Sequence, residues 1–388
     1  MAERHSNKPS KYERSYRILE YLKRNTDQDH KVKQSDLRKI EYLEQYIGNK
    51  ETFNDTIVNM ANAMNSDSKE MMNPEEEWRI IFDAFARRYG SGGNAEEDDA
   101  EDEEETQRMP IRGLYYNHIF SYDEINSLIE GILFSKTIAP EDGEKLIEKI
   151  ESHLTTKFYP KGAKQICRVN EPQLADQGRI RENLKMIQKA IEERVQIRFR
   201  FYGYNRRKEL EPVRKEKDTV SPYYLVANGG KYYLLACKEV TINGEILRNM
   251  SIWRVDLMGE MEIPGRDEKL GIPGIPALKK ESVENLPKQW SEDFHLSHLN
   301  MAFDEPVKIR LKITRVREKA DYTFLHDWFG DTFRFVGKSD IVEVTCSPFA
   351  MVNWALQYSD RVEVLEPESI RRQVAEKARR LYEKYRED

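Results

Sequence analysis

Residues 221–240 read SPYYLVANGGKYYLLACKEV. Two tyrosine-rich apolar runs flank Asn228-Gly229-Gly230, and glycine tolerates the positive φ that a tight hairpin demands, so the stretch predicts two antiparallel strands about a short turn. Upstream, Val195, Ile197, Phe199 and Phe201 alternate with Gln196, Arg198, Arg200 and Tyr202, which is the period of a half-buried strand. Downstream, EILRNMSIWRVDLMGEMEI at 245–263 supplies further strands, with a second turn signal at Asn243-Gly244. Several short antiparallel strands in so few residues predict a small barrel.

Outside this stretch the periodicity changes. In the N-terminal part Ile18, Leu19 and Leu22 recur at helical spacing. Ser35 stands at an N-cap position before Leu37, Ile40, Leu43 and Ile47, and Gly48-Asn49 ends that second helix. KETFNDTIVNMANAM at 50–64 places Phe53, Ile57, Met60 and Met64 on one face of a third, the three-helix layout of a helix-turn-helix. Residues 75–89 predict a further amphipathic helix through Trp78, Ile81, Phe82 and Phe85. SGGNAEEDDAEDEEETQ then offers nothing to fill a core and predicts a disordered linker. Ser121 opens a helix carrying Ile125, Leu128, Ile129 and Ile132, and Pro140 starts another, giving a helical bridge. After the barrel, IPGRDEKLGIPGIPALKKESVENLP reads as a connector. VKIRLKIT, a weaker FRFV, IVEVTC and RVEVLE are strand-like beyond it. SPFAMVNWALQYS is helical, and a last helix is expected to bury Ile370, Val374, Ala378, Leu381 and Tyr385, which together make an α+β unit.

At 388 residues the chain exceeds what one core serves, so it is modular. No apolar run approaches the roughly 18 residues that cross a bilayer, and the N-terminus has no apolar signal core, so a cytoplasmic protein is expected. Cys167, Cys237 and Cys346 lie far apart without a CxxC pair and read as small core residues. The net charge of -6 is unevenly placed: residues 1–50 hold twelve Lys or Arg against eight Asp or Glu, whereas nine of the ten residues 96–105 are acidic. The basic end is therefore the candidate for polyanion contact. No phosphate-loop, HExxH or GxSxG motif is present, and His295 with His298 lacks a further nearby His or Cys for a metal. A binding protein without cofactor is expected rather than an enzyme.

Tyr232-Tyr233-Leu234, set in PYYLVANGGKYYLLA and followed by WRVD at 253–256, resembles the tripeptide and surroundings of WYL domains, with Tyr in place of Trp. GLYYNHIFSYDEINSLIEGI at 113–132 is similar to the helical bridge before such domains in Gram-positive regulators. VNWALQYSDRVEVLEPESIRRQV at 352–374 is similar to the C-terminal extension that follows them. The resemblance implies a DNA-binding transcriptional regulator, often a homodimer, with a winged helix-turn-helix and an Sm-like barrel that senses a nucleic-acid or nucleotide-type effector. The resulting division is a helix-turn-helix over 1–70, a helix plus acidic linker over 71–110, a helical bridge over 111–164, a WYL domain over 165–265, a connector over 266–298 and an extension domain over 299–388. Ser251 and Leu257 stand where the family commonly has Arg, Asn54 and Asp55 where its recognition helix is usually basic, and no clear wing is readable. These departures keep a rival open, an accessory protein binding single-stranded RNA or DNA with the N-terminal helices as a partner module.

For duplex DNA the candidate residues are Lys33, Ser35, Lys50 and Thr52 near helix ends, with Asn54, Asn59 and Asn62 on the third helix. Asn pairs with adenine in the major groove, while Glu51 and Asp55 on the same helix repel phosphates. For the effector, strand alternation turns Arg254 away from the face of Trp253 and Val255, and Arg198 and Arg200 leave the core in the same way. With Arg248, Tyr224 and Tyr233 they form the candidate set, guanidinium for phosphate and tyrosine for stacking.

Overall fold

The computed structural model describes residues 9–65, 78–84, 111–135, 137–160, 177–314 and 321–386, in two units, 1–172 and 173–388. The predicted acidic linker lies outside the described residues. No helix among those described is long and apolar enough to cross a membrane.

In the first unit, α1 (Lys11–Asn25) starts at Ser10, whose hydroxyl accepts from Glu13 N at 3.1 Å, and buries Ile18 and Leu22. The expected second helix is instead two short ones, α2 (Gln34–Leu37) and α3 (Glu44–Ile47). Leu37, Leu43 and Ile47 are still fully buried, since each short helix turns one apolar side to the same core. Lys33, not Ser35, holds the N-cap position of α2, so Ser35 lies inside that helix. Gly48 then adopts φ 65, a conformation that glycine supplies without strain, and Asn49 Oδ1 accepts from Thr52 N at 2.7 Å to open α4 (Lys50–Asn65).

Where a helix over 75–89 was expected, Ile80–Ile81 form a strand, β1, which pairs antiparallel with β2 (Tyr115–Tyr116). Leu114–Tyr116, within the segment expected as the bridge, lie in this small sheet. Val32 bridges Leu114 on the strand's other side, giving the order Val32, β2, β1. Two buried polar side chains fix the sheet to the helices. Asn65 donates to Ile80 O at 3.0 Å and accepts from Arg79 N at 2.8 Å, while Thr26 Oγ1 accepts from Tyr116 N at 3.0 Å. Beyond β2, α5 (Tyr122–Phe134), opened by the Ser121–Glu124 capping box, packs on α6 (Pro140–Leu154) through Ile125, Ile129, Ile147 and Ile150.

The second unit opens with α7 (Gln177–Glu193), followed by β3 (Ile197–Tyr204), β4 (Leu210–Pro212), β5 (Asp218–Asn228), β6 (Lys231–Cys237), the hairpin β7 (Val240–Ile242) and β8 (Glu245–Leu247), β9 (Met250–Arg254) and β10 (Met258–Glu262). Six strands form one antiparallel sheet in the order β10-β3-β5-β6-β9, with β4 paired to β3. The rings of Phe199 and Phe201 on β3 lie 5.1 and 5.2 Å from Trp253 on β9. In a flat sheet three strand spacings, about 14 Å, would separate β3 from β9, so the sheet curls around this aromatic cluster. Asn183 of α7 closes one end by donating to Val255 O and Met258 O at 3.3 and 2.9 Å.

The connector is not a free linker. Val283, Leu286 and Phe294, with Met301 just beyond the connector, are buried in one cluster with Tyr223, Leu235, Cys237 and Met250, covering the outer face of β5, β6 and β9. Its chain contains the short helix α8 (Phe294–Ser297). The C-terminal part is a sheet of order β12-β13-β11-β14, from β11 (Val307–Ile313), β12 (Arg334–Phe335), β13 (Ile341–Cys346) and β14 (Val362–Glu366), packed with α9 (Thr323–Phe329), α10 (Pro348–Gln357) and α11 (Glu368–Tyr385). Contrary to expectation α11 buries only Ile370. Leu381 and Tyr385 are 52% and 72% exposed, because the helix outlasts the elements it packs on. The architecture is mixed α+β.

Candidate nucleic-acid interface and effector site

Four of the seven DNA-contact candidates line one hollow of about 180 Å³, Lys33, Ser35, Lys50 and Asn54, joined by Gln34, Ile111 and Arg112. The hollow forms because α2 and α4 begin side by side, tied by Gln34 Nε2 donating to Asn49 O at 3.1 Å, while the segment leading into β2 brings Arg112 across from the other side. Lys33, Lys50 and Arg112 are exposed, and among the described residues none is in an ion pair. Among the described residues no carboxylate lines the hollow. Three unpaired cations around a concave surface suit a phosphate group.

The rest of α4 is less favourable to DNA. Asn54 is only 3% exposed, so it faces inward and cannot read a base edge, a correction to its expected place on the contact face. Thr52 is half-buried, its N–H bonded to Asn49. Asn59 and Asn62 are exposed, on the side that also carries Glu51 and the half-buried Asp55. Arg112 was missed in the sequence because it lies far along the chain from Lys50 and behind the acidic stretch.

In the second unit the six effector candidates do not converge. Arg254 points away from Trp253, as the alternation requires, but its Nε and Nη2 grip both oxygens of Asp256 at 3.1 and 2.6 Å. Asp256 is 2% exposed, and this pairing raises the Arg254 pKa. Arg254 remains about one-third exposed, and Tyr233 stands opposite it in register, its hydroxyl pKa raised by burial. Arg198 and Arg200 lie on β3 among Glu262, Glu260 and Lys217, with Arg200 Nε 3.0 Å from Glu260. Arg248 pairs with Glu239 at 2.9 Å, beyond the other end of β9 from Arg254. Tyr224 is held under the connector, its hydroxyl donating to Pro287 O at 2.9 Å with Lys280 over its ring. Of the set, Arg254 with Tyr233 is the pair that joins a guanidinium to an aromatic ring, while Arg198 and Arg200 share a cluster of their own.

The two cysteines within the described residues, Cys237 and Cys346, are buried free thiols, pushed up to about 11 and about 12 by desolvation. His298 is buried with Nδ1 near Phe294 O and Ser297 Oγ, whereas His295 is exposed. Among the described residues no group of three or more His, Cys, Asp or Glu is placed to hold a metal ion.

Comparison with known proteins gives two domain matches, WYL over residues 182–263 and WCX over residues 305–382. Among solved structures, proteasome accessory factor B/C (PafBC) of Arthrobacter aurescens aligns at 17% identity and a TM-score of 0.24, over 68% of this chain and 37% of that one. The crystal structure of a CRISPR Cas-related protein aligns at 13% identity and a TM-score of 0.32, over 96% and 93%. The chain thus spans 37% of the length of the first. The search of curated proteins returned no match. The chain carries a WYL domain at residues 182–263 followed by a WCX domain at residues 305–382.

Proposed function

We propose that this chain is a DNA-binding transcriptional regulator, acting as a homodimer without enzymatic activity, whose WYL domain senses a nucleic-acid or nucleotide-type effector. The observation that carries the reading is the hollow of Lys33, Lys50 and Arg112, unpaired cations gathered where two helices begin beside a β-strand. The order Val32, β2, β1 beside α1 to α4 supports this reading, in which β1 and β2 would serve as the wing of a winged helix-turn-helix. In this reading the hollow grips backbone phosphate, and Asn59 and Asn62 face the groove. The effector binds beside Arg254 and Tyr233 and acts by favouring one arrangement of the DNA-binding units through differential affinity.

The acids of α4, exposed Glu51 and half-buried Asp55, favour a second reading, an accessory protein that binds single-stranded RNA or DNA while its N-terminal unit contacts a partner. Selection of random duplex DNA by the full-length chain separates the two. A defined palindromic site supports a dimeric regulator, whereas no enrichment, with single-strand binding retained, supports the accessory protein.

A further inference from the structure

The first unit holds a cavity of about 660 Å³, against about 180 Å³ for the basic hollow, with which it shares no residue. It opens between the loop after α1, the β1–β2 sheet and the start of α5. Five aromatic side chains line it, Trp78, Tyr115, Tyr116, Phe120 and Tyr122. So do the carboxylates of Asp27, Asp29 and Glu124, and among the described residues no Lys or Arg does. His118 also lines it, but burial lowers its pKa, so its ring is predominantly uncharged at neutral pH. The walls are tied together. Asp27 Oδ1 accepts from Asp29 N and His30 N at 3.0 and 2.8 Å, folding the loop on itself, and Asp27 Oδ2 accepts from the Tyr122 hydroxyl at 2.9 Å, joining it to α5. Asn117 Nδ2 donates to Trp78 O at 3.0 Å and holds the chain leaving β2 against the chain entering β1. Asp29 is exposed and, among the described residues, in no ion pair.

The chain itself shows what these rings attract. Lys31 Nζ lies 5.3 Å from the ring centre of Tyr115 and Lys23 Nζ 5.7 Å from that of Tyr116, although neither lysine lines the cavity. An aromatic face is the negative side of the ring's quadrupole and draws a cation that comes within about 6 Å of its centre. Carboxylates on the same walls add Coulomb attraction for a cation and repel an anion. The volume falls in the range of roughly 300–1,000 Å³ usual for small-molecule sites, and the rings suit a ligand with an apolar body. We infer that this cavity binds a small organic cation, a primary or quaternary ammonium borne on an apolar body. The site is built from residues other than the basic hollow and the Arg254 pair, and it does not depend on whether α4 reads duplex DNA.

The test titrates the full-length chain by calorimetry, at low salt, with tryptamine and benzyltrimethylammonium. Tryptophol, the uncharged alcohol of tryptamine's shape, and the anion indole-3-acetate are measured in parallel. Both cations are expected to bind roughly tenfold more tightly than tryptophol, and indole-3-acetate is expected not to bind. Asp29→Asn with Glu124→Gln weakens the two cations by roughly threefold to tenfold and leaves tryptophol unchanged. Both side chains are exposed, and Gln keeps the partner that Ser121 needs in the capping box, so this variant folds. Phe120→Leu keeps an apolar side chain without the ring and weakens the cations by a similar factor. Lys31→Gln, which takes a competing ammonium away from Tyr115, strengthens them by about twofold. No binding by either cation, tryptophol bound as tightly as tryptamine, or cation affinity unmoved by the carboxylate variant would each overturn the inference. The carboxylate variant decides the question even where Phe120→Leu fails to fold. Failure of the regulator reading alone shows differently, as absent duplex binding with tryptamine binding intact.

Discussion

The sharpest consequence of the basic hollow is a salt dependence that two substitutions should cut by about two-thirds. Lys33, Lys50 and Arg112 surround it, and among the described residues no carboxylate lines it. If each neutralises one phosphate of duplex DNA, each adds about 0.9 to the slope of log K against log salt, or about 2.7 per protomer. Between about 50 and about 200 mM salt, a span of roughly 0.6 log units, that predicts a fall of about 1.6 logs, near 40-fold. Lys50→Gln with Arg112→Gln leaves a slope of about 0.9 and a fall of only about threefold to fourfold over the same span. Both side chains are exposed, so the melting temperature should stay within the small range of surface substitutions. The assay is fluorescence anisotropy on a labelled duplex at four or more salt concentrations, with a thermal melt of each protein. A variant with the wild-type slope refutes the reasoning, because phosphate would then be held elsewhere.

Arg254→Ala removes the candidate effector contact but also strips the buried Asp256 of its partner, so it should destabilise the fold by about 1–3 kcal/mol in urea unfolding. Adding Asp256→Asn should restore most of that loss while effector binding stays weak; if the double variant also regains effector binding, Arg254 is structural only. His298 is buried, its Nε2 has no hydrogen-bond partner among the described residues, and desolvation lowers its pKa. The unfolded chain therefore binds the proton more readily, and this contribution to stability is present above about pH 6.5, the ordinary histidine value, and is lost as pH falls below it. Thermal melts from pH 8 to pH 5.5 should show His298→Leu with a shallower decline than wild type, and parallel curves would remove His298 as the cause. Cys237 and Cys346, with thiols pushed up to about 11 and about 12, should resist alkylation at pH 8 until the protein unfolds, which mass spectrometry of peptide adducts can read.

Much of the second unit was legible because its signals are local. The two-residue alternation of Val195, Ile197 and Phe199 does place all three in the core, and Gly229 and Gly230, at φ 54 and 76, form the turn between β5 and β6. Trp253 and Val255 are buried while Arg254 faces outward, as the pleat requires. In the first unit the apolar period of α4 correctly selected Phe53, Ile57 and Met60, but the same period misread Ile80 and Ile81, since two adjacent isoleucines fit a helix face and a buried strand equally.

By itself, then, the sequence determined which segments repeat with a period of two or of 3.6, where the hairpin turns fall and which side of each strand is apolar, because those properties depend on neighbours a few residues away. Only the tertiary structure decided what depends on distant pairing. It joined Ile80–Ile81 to Tyr115–Tyr116, carried Arg112 to the side of Lys50, and laid the connector over β5, β6 and β9. It also chose a carboxylate for Arg198, Arg200, Arg248 and Arg254 while leaving Arg206 and Arg207 without one. A charge shows its type in the sequence, but whether it is spent on a neighbour or left for a ligand is settled only by which oxygen folding brings within reach.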